Sequence, residues 1–217
     1  MISLLIGAFL IGGIIQIFIS TRQTNLMEEE LAKLQENGRF AMESLARDIR
    51  MTDYRDINCV GPIYAYPALN FPLAGVDNDP GSLPGTDSIQ IRWIISPCPT
   101  GAFDANDGNV TYLITNDAAV SPRNLRRTGQ DVITGVDNFQ IQYGVDTDAN
   151  GTPDYYGTAA TVPAATMLQV VSIRINLLLR SEDNITSQPV PYAFMGTTFP
   201  SADRRIRREF FDDHSAS

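Results

Sequence analysis

The sequence is poor in the residues on which most enzyme mechanisms depend. It contains one histidine, His214, and two cysteines, Cys59 and Cys98, among 217 residues. The sequence therefore has almost no residues from which to form a histidine base, a Cys–His pair or a histidine-rich metal site. The sequence also lacks the Gly-x-Ser-x-Gly motif of serine hydrolases and a glycine-rich phosphate loop. We expect a protein that is not an enzyme and has no small-molecule substrate.

Basic residues are also scarce. The chain has 16 Lys and Arg against 25 Asp and Glu, which gives a formal net charge of −9 at pH 7. Binding to nucleic acid requires a basic face, and the acidic residues are spread along the chain, so we expect no nucleic acid partner. With 43% hydrophobic residues, the chain is long enough for one domain of ordinary size and an appendage.

Charge is absent altogether from residues 1–20, MISLLIGAFLIGGIIQIFIS. As a helix, this segment has the length of a bilayer's hydrocarbon core, about 30 Å. It lacks the basic start and the small-residue cleavage site of a secretory signal peptide, and helices in globular cores are rarely uncharged for so long. We predict that residues 1–20 form a transmembrane helix or lie in the dry core of an assembly. Gly7, Gly12 and Gly13 favour close packing on other helices.

The helical pattern continues after Ser20 without a proline or a turn signal. Residues 21–54 are predicted to be amphipathic, because apolar or small residues recur at three- and four-residue steps. This stripe consists of Leu31, Leu34, Gly38, Ala41, Leu45 and Ile49. The two segments predict one helix, whose second half packs its stripe on a soluble domain. The alternative is two helices with a break between Ser20 and Asn25.

Residues 55–217 are predicted to form a β-rich domain, the head. Residues 58–85 are rich in Pro, Gly, Asn and Asp and predict an irregular connection. Four later segments carry alternating, β-branched or aromatic residues and predict strands at 88–95, 109–115, 138–145 and 169–179. The segment 169–179 has apolar side chains on one face, and we expect the helix stripe to pack against this face. The predicted class is α+β, a long N-terminal helix packed on an antiparallel β-sheet domain.

Three segments resemble one known family. They are LQENGRFAMESLARDIRMTDY at the end of the helix, TGVDNFQIQYGVDTDANGTPDYY, and VVSIRINLLLRS. Together with the layout of helix and strands, they resemble the PilW-type minor pilins of the type IV pilus over most of the chain. The resemblance implies a type IV pilin-like fold and a subunit that initiates, assembles or caps a pilus.

The resemblance also implies partners and a location. The partners are other major and minor pilins, bound through the N-terminal helix. The protein would lie in the inner membrane before assembly, with its head in the periplasm, and afterwards in the extracellular pilus. Two alternatives stay open: a pseudopilin of a type II secretion system, and a membrane-anchored, calcium-dependent binding or adhesion domain that never polymerises.

Two features depart from the family. Its members carry a prepilin leader, a cleavage site and a glutamate just after that site, none of which precedes Met1. We expect that the start is missing from this sequence or that this processing does not apply. The tail, RRIRREFFDDHSAS, also differs from the family's usual ending. Its cluster of Arg204, Arg205, Arg207 and Arg208 predicts a solvated face or salt bridges to neighbouring acids, with an acidic partner as the alternative.

The two cysteines predict a single disulfide between Cys59 and Cys98. The N-terminal segment points to a location outside the cytosol, where thiols oxidise. In the cytosol they would be two unrelated buried thiols. A disulfide would pin the irregular connection to the first predicted strand and stabilise the head by about 3–4 kcal/mol in the loop-entropy model.

An acidic segment, DTDANGTPD, has the alternation of oxygen ligands that wraps a hard cation. The predicted calcium ligands are Asp146, Asp148, Asn150, Asp154 and the carbonyl of Thr152. The segment is not an EF-hand, because Gly157 stands where that loop needs a bidentate Glu and the flanks read as strands. The alternative is a hairpin turn, since Asn-Gly between strands needs no metal.

Overall fold

The computed structural model describes residues 2–52, 73–93, 108–115 and 123–215, with side chains for all of these except 2–6, 8 and 215. A single helix, α1 (Ile2–Ile49), runs through the N-terminal part without a break. Hydrogen-bonded turns follow it as far as Thr52. One continuous helix is therefore confirmed. No helix in the described part of the chain is long and apolar enough to cross a membrane.

Beyond the helix, the described residues form antiparallel strands. These are β1 (Leu73–Val76), β2 (Ser88–Trp93), β3 (Gly108–Ile114), β4 (Asn124–Arg127), β5 (Gln130–Thr134), β6 (Val136–Val145), β7 (Tyr155–Gly157), β8 (Val170–Arg180), β9 (Tyr192–Phe194), β10 (Thr197–Phe199) and β11 (Arg207–Ser215), with a 3₁₀ helix at Ala164–Gln169. A five-stranded sheet has the order β1-β2-β3-β4-β5, a four-stranded sheet has the order β11-β8-β6-β7, and β9 and β10 form a hairpin. The predicted α+β class is confirmed.

The four predicted strands correspond to β2, β3, β6 and β8, and their ends differ from the predicted ends by at most two residues. Residues 94 and 95 lie outside the described residues. The prediction of an irregular connection over 58–85 was wrong in part, because β1 lies within it and pairs with β2. Residues 58–72 of that connection lie outside the described residues.

The tail forms an unpredicted strand. Nine residues of β11 pair with β8, from Arg207 opposite Arg180 to Ser215 opposite Ser172. Its sequence does not alternate, because charged residues can occupy the strand at the end of a sheet. Phe210 nevertheless packs against the core, while Phe211 is exposed. The tail is therefore an integral part of the four-stranded sheet.

The helix stripe packs as predicted. Leu34, Gly38, Ala41, Leu45 and Ile49 are buried and Leu31 is half-buried. The apolar members of the buried group share one core with the apolar face of β8, and α1 contacts β5, β8 and β11. A Cβ atom on Gly38 would lie 2.2 Å from the ring of Phe210. Glycine therefore allows α1 and β11 to approach closely, which offsets its low helix propensity.

A buried carboxylate fixes the end of α1 to the five-stranded sheet. Asp48 accepts hydrogen bonds from the Tyr112 hydroxyl (2.6 Å) and from Nε (2.7 Å) and Nη2 (3.1 Å) of Arg127. The Tyr112 hydroxyl also lies 3.1 Å from the Ser44 hydroxyl. Burial, and then the bond to Asp48, raise the pKa of Tyr112 to about 12, so the phenol keeps its proton at neutral pH.

A second buried carboxylate joins the two sheets. The amide of Asp87, just before β2, donates to the carbonyl of Phe139 in β6 (2.9 Å). Its carboxylate accepts the amides of Ile141 (2.8 Å) and Asn78 (3.1 Å). Burial raises the pKa of Asp87 to about 6, because the loss of water outweighs these two hydrogen bonds.

Candidate assembly helix and acidic loop

The first half of α1 carries a continuous apolar surface that is exposed to solvent. Phe9 is 87% exposed. Large apolar side chains that are each more than half exposed follow it: Leu10, Ile11, Ile14, Ile15, Ile17, Phe18 and Ile19. Monomeric soluble proteins rarely expose apolar patches of this extent unless the patch binds a partner or a membrane. This surface is the clearest candidate for an interaction site in the described residues.

The glycines in this half have no role within the chain. A Cβ atom added to Gly7, Gly12 or Gly13 would meet no atom within 4 Å. Their φ angles do not require glycine either, since the left-handed glycines lie elsewhere. Glycine in a helix costs up to about 1 kcal/mol relative to alanine. What these glycines favour is close approach by another helix.

The apolar surface ends at a boundary of polar residues whose hydrogen bonds stay within the helix. The hydroxyls of Thr21 and Thr24 donate to the carbonyls of Ile17 (2.9 Å) and Ser20 (3.1 Å). The guanidinium of Arg22 lies 5.0 Å from the centre of the Phe18 ring. Polar groups satisfied in this way are compatible with an apolar neighbour.

The acidic segment is the connection between β6 and β7. Residues 146–154 form this loop, and Val145 pairs with Tyr155 at its base. Both flanks are therefore strands, as predicted. Ala149 and Gly151 have positive φ angles of 59° and 85°, which let the chain reverse.

The loop is wrapped around the carboxylate of Asp146. One of its oxygens accepts the amides of Asp148 (3.2 Å) and Asn150 (3.3 Å), and the other accepts the amide of Gly151 (2.6 Å). Although burial opposes it, these hydrogen bonds hold the pKa of Asp146 below its ordinary value. The hydroxyl and amide of Thr147 similarly lower the pKa of Asp154. Both carboxyl groups are therefore ionised at neutral pH.

The structure brings together three of the five predicted calcium ligands. Carboxylate oxygens of Asp146, Asp148 and Asp154 all lie within 4.8 Å of one another. The side-chain oxygen of Asn150 instead accepts the amide of Thr152 (2.8 Å), and its nitrogen donates to Asp148 (3.0 Å). Three carboxyl groups form a hard oxygen donor set, which fits calcium. The hydrogen bonds also hold the loop as a hairpin turn.

The other predicted features have different outcomes. Cys59 and Cys98 lie outside the described residues, so their disulfide stays a prediction. The tail arginines are not all solvated, because the side chain of Arg207 is only 8% exposed and lies 2.6 Å from Asp137. The prediction of salt bridges from these arginines is confirmed for Arg207, but sequence reasoning did not identify Asp137 as its partner, and it missed the Asp48 contacts. The partners are 70 and more than 60 residues apart, so no local pattern reveals them.

Part of the chain matches the sequence model of a known protein family. Residues 104–214 match the sequence model of the family described as Type IV Pilus-assembly protein W, PilW. The match reaches His214, so the tail to that residue lies inside the matched region. No curated protein matches the chain. Among solved structures, the chain is similar to a type IV-like pilin from Thermus thermophilus, with 13% identity and a TM-score of 0.46 over 84% of this chain and 95% of the other.

The family match covers just over half of the 217 residues and takes in β3 to β11 apart from Ser215, together with the acidic loop. The chain therefore belongs to the PilW family of type IV pilus-assembly proteins.

Proposed function

We propose that the protein is a minor pilin, a non-enzymatic subunit that initiates, assembles or caps a type IV pilus. The observation that carries this proposal is the exposed apolar surface from Phe9 to Ile19, on a helix that continues into a folded head. Membership of the PilW family connects that surface with pilus assembly.

In this proposal the first half of α1 lies among the helices of other major and minor pilins. Gly7, Gly12 and Gly13 let those helices approach, and the second half of α1 holds the head at the filament surface. Before assembly the uncharged residues 1–20 lie in the inner membrane, with the head in the periplasm. Lipid and filament core are both apolar, so moving between them changes the solvation of this segment little.

The head has two further proposed features. Asp146, Asp148 and Asp154 bind calcium, with Asn150 and Thr152 completing the ligand set when the turn rearranges. Calcium adds positive charge between three carboxylates that otherwise repel one another. The Cys59–Cys98 disulfide pins the segment after α1 to the segment after β2. Both features suit a domain that works outside the cell.

Replacing Gly12 with arginine tests the proposed function. A deletion strain complemented with Gly12→Arg should make few or no pili, because a charge in an apolar helical assembly costs a few kcal/mol. The melting temperature of the head should not change, since among the described residues no atom beyond the helix's own adjacent backbone lies within 4 Å of a Cβ at this position. Gln35→Arg, at an exposed position of the same helix, is the matched control and should restore piliation.

Two results would contradict the proposal. Normal piliation in the deletion strain, together with a parent strain in which the protein lies wholly in the membrane fraction, would favour an anchored binding domain. Intact pili together with failed export of a secreted protein would favour a type II secretion pseudopilin. Electron microscopy of pili and assay of the culture supernatant distinguish these outcomes.

A further inference from the structure

Arginines from three separate parts of the chain converge at one end of the four-stranded sheet. Arg180 ends β8 and lies directly opposite Arg207, the first residue of β11. Arg205 comes just before β11, and Arg123 comes just before β4. The backbone brings these parts together at the start of β6. The carbonyl of Gly135, just before β6, accepts the amide of Arg180, and the amide of Val136, the first residue of β6, donates to the carbonyl of Arg123.

Two carboxylates neutralise only part of this cluster. Asp137 is shared, with one oxygen 2.6 Å from Nε of Arg207 and the other 3.1 Å from Nη1 of Arg180. Asp203 accepts two further hydrogen bonds from Arg207, at 2.8 and 2.9 Å. Against Arg123, Arg180, Arg205 and Arg207, these two aspartates leave two positive charges uncompensated.

The uncompensated charges belong to Arg123 and Arg205. Both side chains are half-buried, and neither has an acidic partner among the described residues. Burial holds the pKa of Arg180 below its ordinary value against the pull of Asp137, and the charges of Arg205, Arg123 and Arg207 lower it further. Like charges that act on one another in this way destabilise the isolated head. Because the fold brings these arginines together from distant segments, we expect an anion from outside the chain to neutralise the two uncompensated charges.

The neighbouring surface indicates where that anion comes from. Arg204 lies in a groove of about 300 Å³ whose other wall is α1, at Gln23, Leu26 and Glu30. Leu26 is exposed, so the apolar surface of α1 extends to this groove. A helix that packs along the first half of α1 therefore reaches Arg204, the residue next to Arg205 in the chain. A chain with a net charge of −9 also offers acidic groups for such contacts, including the exposed side chains of Glu28 and Glu29 on its own helix.

We infer that Arg123, Arg180, Arg205 and Arg207 form a docking site for carboxylate side chains on a neighbouring pilin subunit. Arg207 and Arg180 are held in place by Asp137 and Asp203. Arg123 and Arg205 supply the guanidinium groups that pair with the neighbour. Charge complementarity of this kind orients two surfaces and excludes wrong partners. The inference rests on the proposed function, because the neighbour is another pilin.

Carbodiimide cross-linking tests the site. The chain has a single lysine, Lys33, which lies 3.4 Å from Glu182 of the same chain. In cells that make the other pilins, full-length Arg205→Lys keeps the charge and adds one amine, which carbodiimide joins to a carboxylate in contact. We expect an adduct with an Asp or Glu of a second pilin chain, identified by mass spectrometry. Arg208→Lys, at an exposed position over the Phe210 ring, is the control and should give no such adduct.

A charge reversal provides the second measurement. The double variant Arg123→Glu/Arg205→Glu leaves the Asp137 and Asp203 pairs intact and removes the repulsion of two arginines on Arg180, so the melting temperature should not fall below that of the unmodified chain. Recovery of the partner pilin with the purified full-length chain should fall by about tenfold or more, and the loss should be smaller at high salt. Unchanged recovery, or an Arg205→Lys chain without an inter-chain adduct, would overturn the docking site.

The two proposals fail in different ways. If the deletion strain lacks pili and the charge-reversed variant restores them fully, the docking site is wrong and the minor pilin function stands. If the deletion strain makes normal pili, the proposed function is wrong, and the docking site fails with it.

Discussion

Substitution of Asp48 is the sharpest test of how α1 is attached to the head. Its carboxylate is the one acceptor shared by Tyr112 and Arg127, from neighbouring strands of the five-stranded sheet. Asp48→Ala removes three hydrogen bonds at once. It leaves the Tyr112 hydroxyl buried with only Ser44 as a partner. The substitution should weaken the attachment of the end of α1 to the head and leave the strand pairing within the sheets intact.

The size of the loss in stability on Asp48→Ala follows from how deeply the two charged side chains are buried. Asp48 has a side chain that is 8% exposed, whereas that of Arg127 is 38% exposed, so water partly solvates the arginine after the substitution. Breaking a fully buried pair costs about 3–5 kcal/mol, and we take the lower end because of this exposure. A loss of about 3 kcal/mol corresponds to a fall in melting temperature of roughly 6–12 °C for a chain of this size.

Thermal unfolding of the full-length chain in detergent, followed by circular dichroism, measures this effect. Tyr112→Phe alone should cost about 1 kcal/mol. The double variant should be less destabilised than the sum of the two single changes, because both remove the same hydrogen bond. A melting temperature for Asp48→Ala within about 2 °C of the unmodified chain, or strictly additive effects, would refute the reasoning.

Two further predictions concern ions and protons. Millimolar calcium should raise the melting temperature, because a ligand that binds the folded state stabilises it. Asp148→Ala should abolish this rise, whereas the control Glu36→Ala, at an exposed position of α1, should retain it. Equal melting temperatures in calcium and in chelator would mean that the loop is only a hairpin turn. Because the pKa of Asp87 is raised to about 6, the folded state binds this proton more tightly than the unfolded chain. Its stabilisation is complete below the unfolded value of 3.8 and is lost as pH rises through about 6. The melting temperature should therefore rise between about pH 7 and pH 5, and a rise of the same size in Asp87→Asn would contradict this assignment.

The parts of the fold that could be predicted from sequence are those with local periodicity. The stripe of α1 repeats with the period of a helix, and β8 alternates with the period of a strand, so each pattern reveals both the element and its buried face. The acidic loop was also visible, because its ligands lie within nine residues of one another. Local spacing did not reveal that Asn150 bonds to Thr152 instead of lying free for a cation.

The features that were missed depend on an uncommon turn conformation or on residues far apart in the chain. The turn between β4 and β5 uses positive φ angles at Thr128 (48°) and Gly129 (82°), and threonine is uncommon in that conformation. The sequence of β11 does not alternate, and its place is decided by pairing with β8. The carboxylate of Asp137 likewise forms its ion pairs only because the pairing of β8 with β11 brings Arg180 and Arg207 next to it.

The two halves of α1 therefore have separate energetic roles. The described side chains of the first half are exposed from Phe9 to Ile19, so they add little to the stability of the head. The second half is held by the contact of Gly38 with Phe210 and by the hydrogen bonds of Asp48. Because that attachment is complete within one chain, the direction of the exposed half relative to the head is set before any partner binds. Substitutions near Gly12 should then change assembly without changing melting, and substitutions at Asp48 should change melting first.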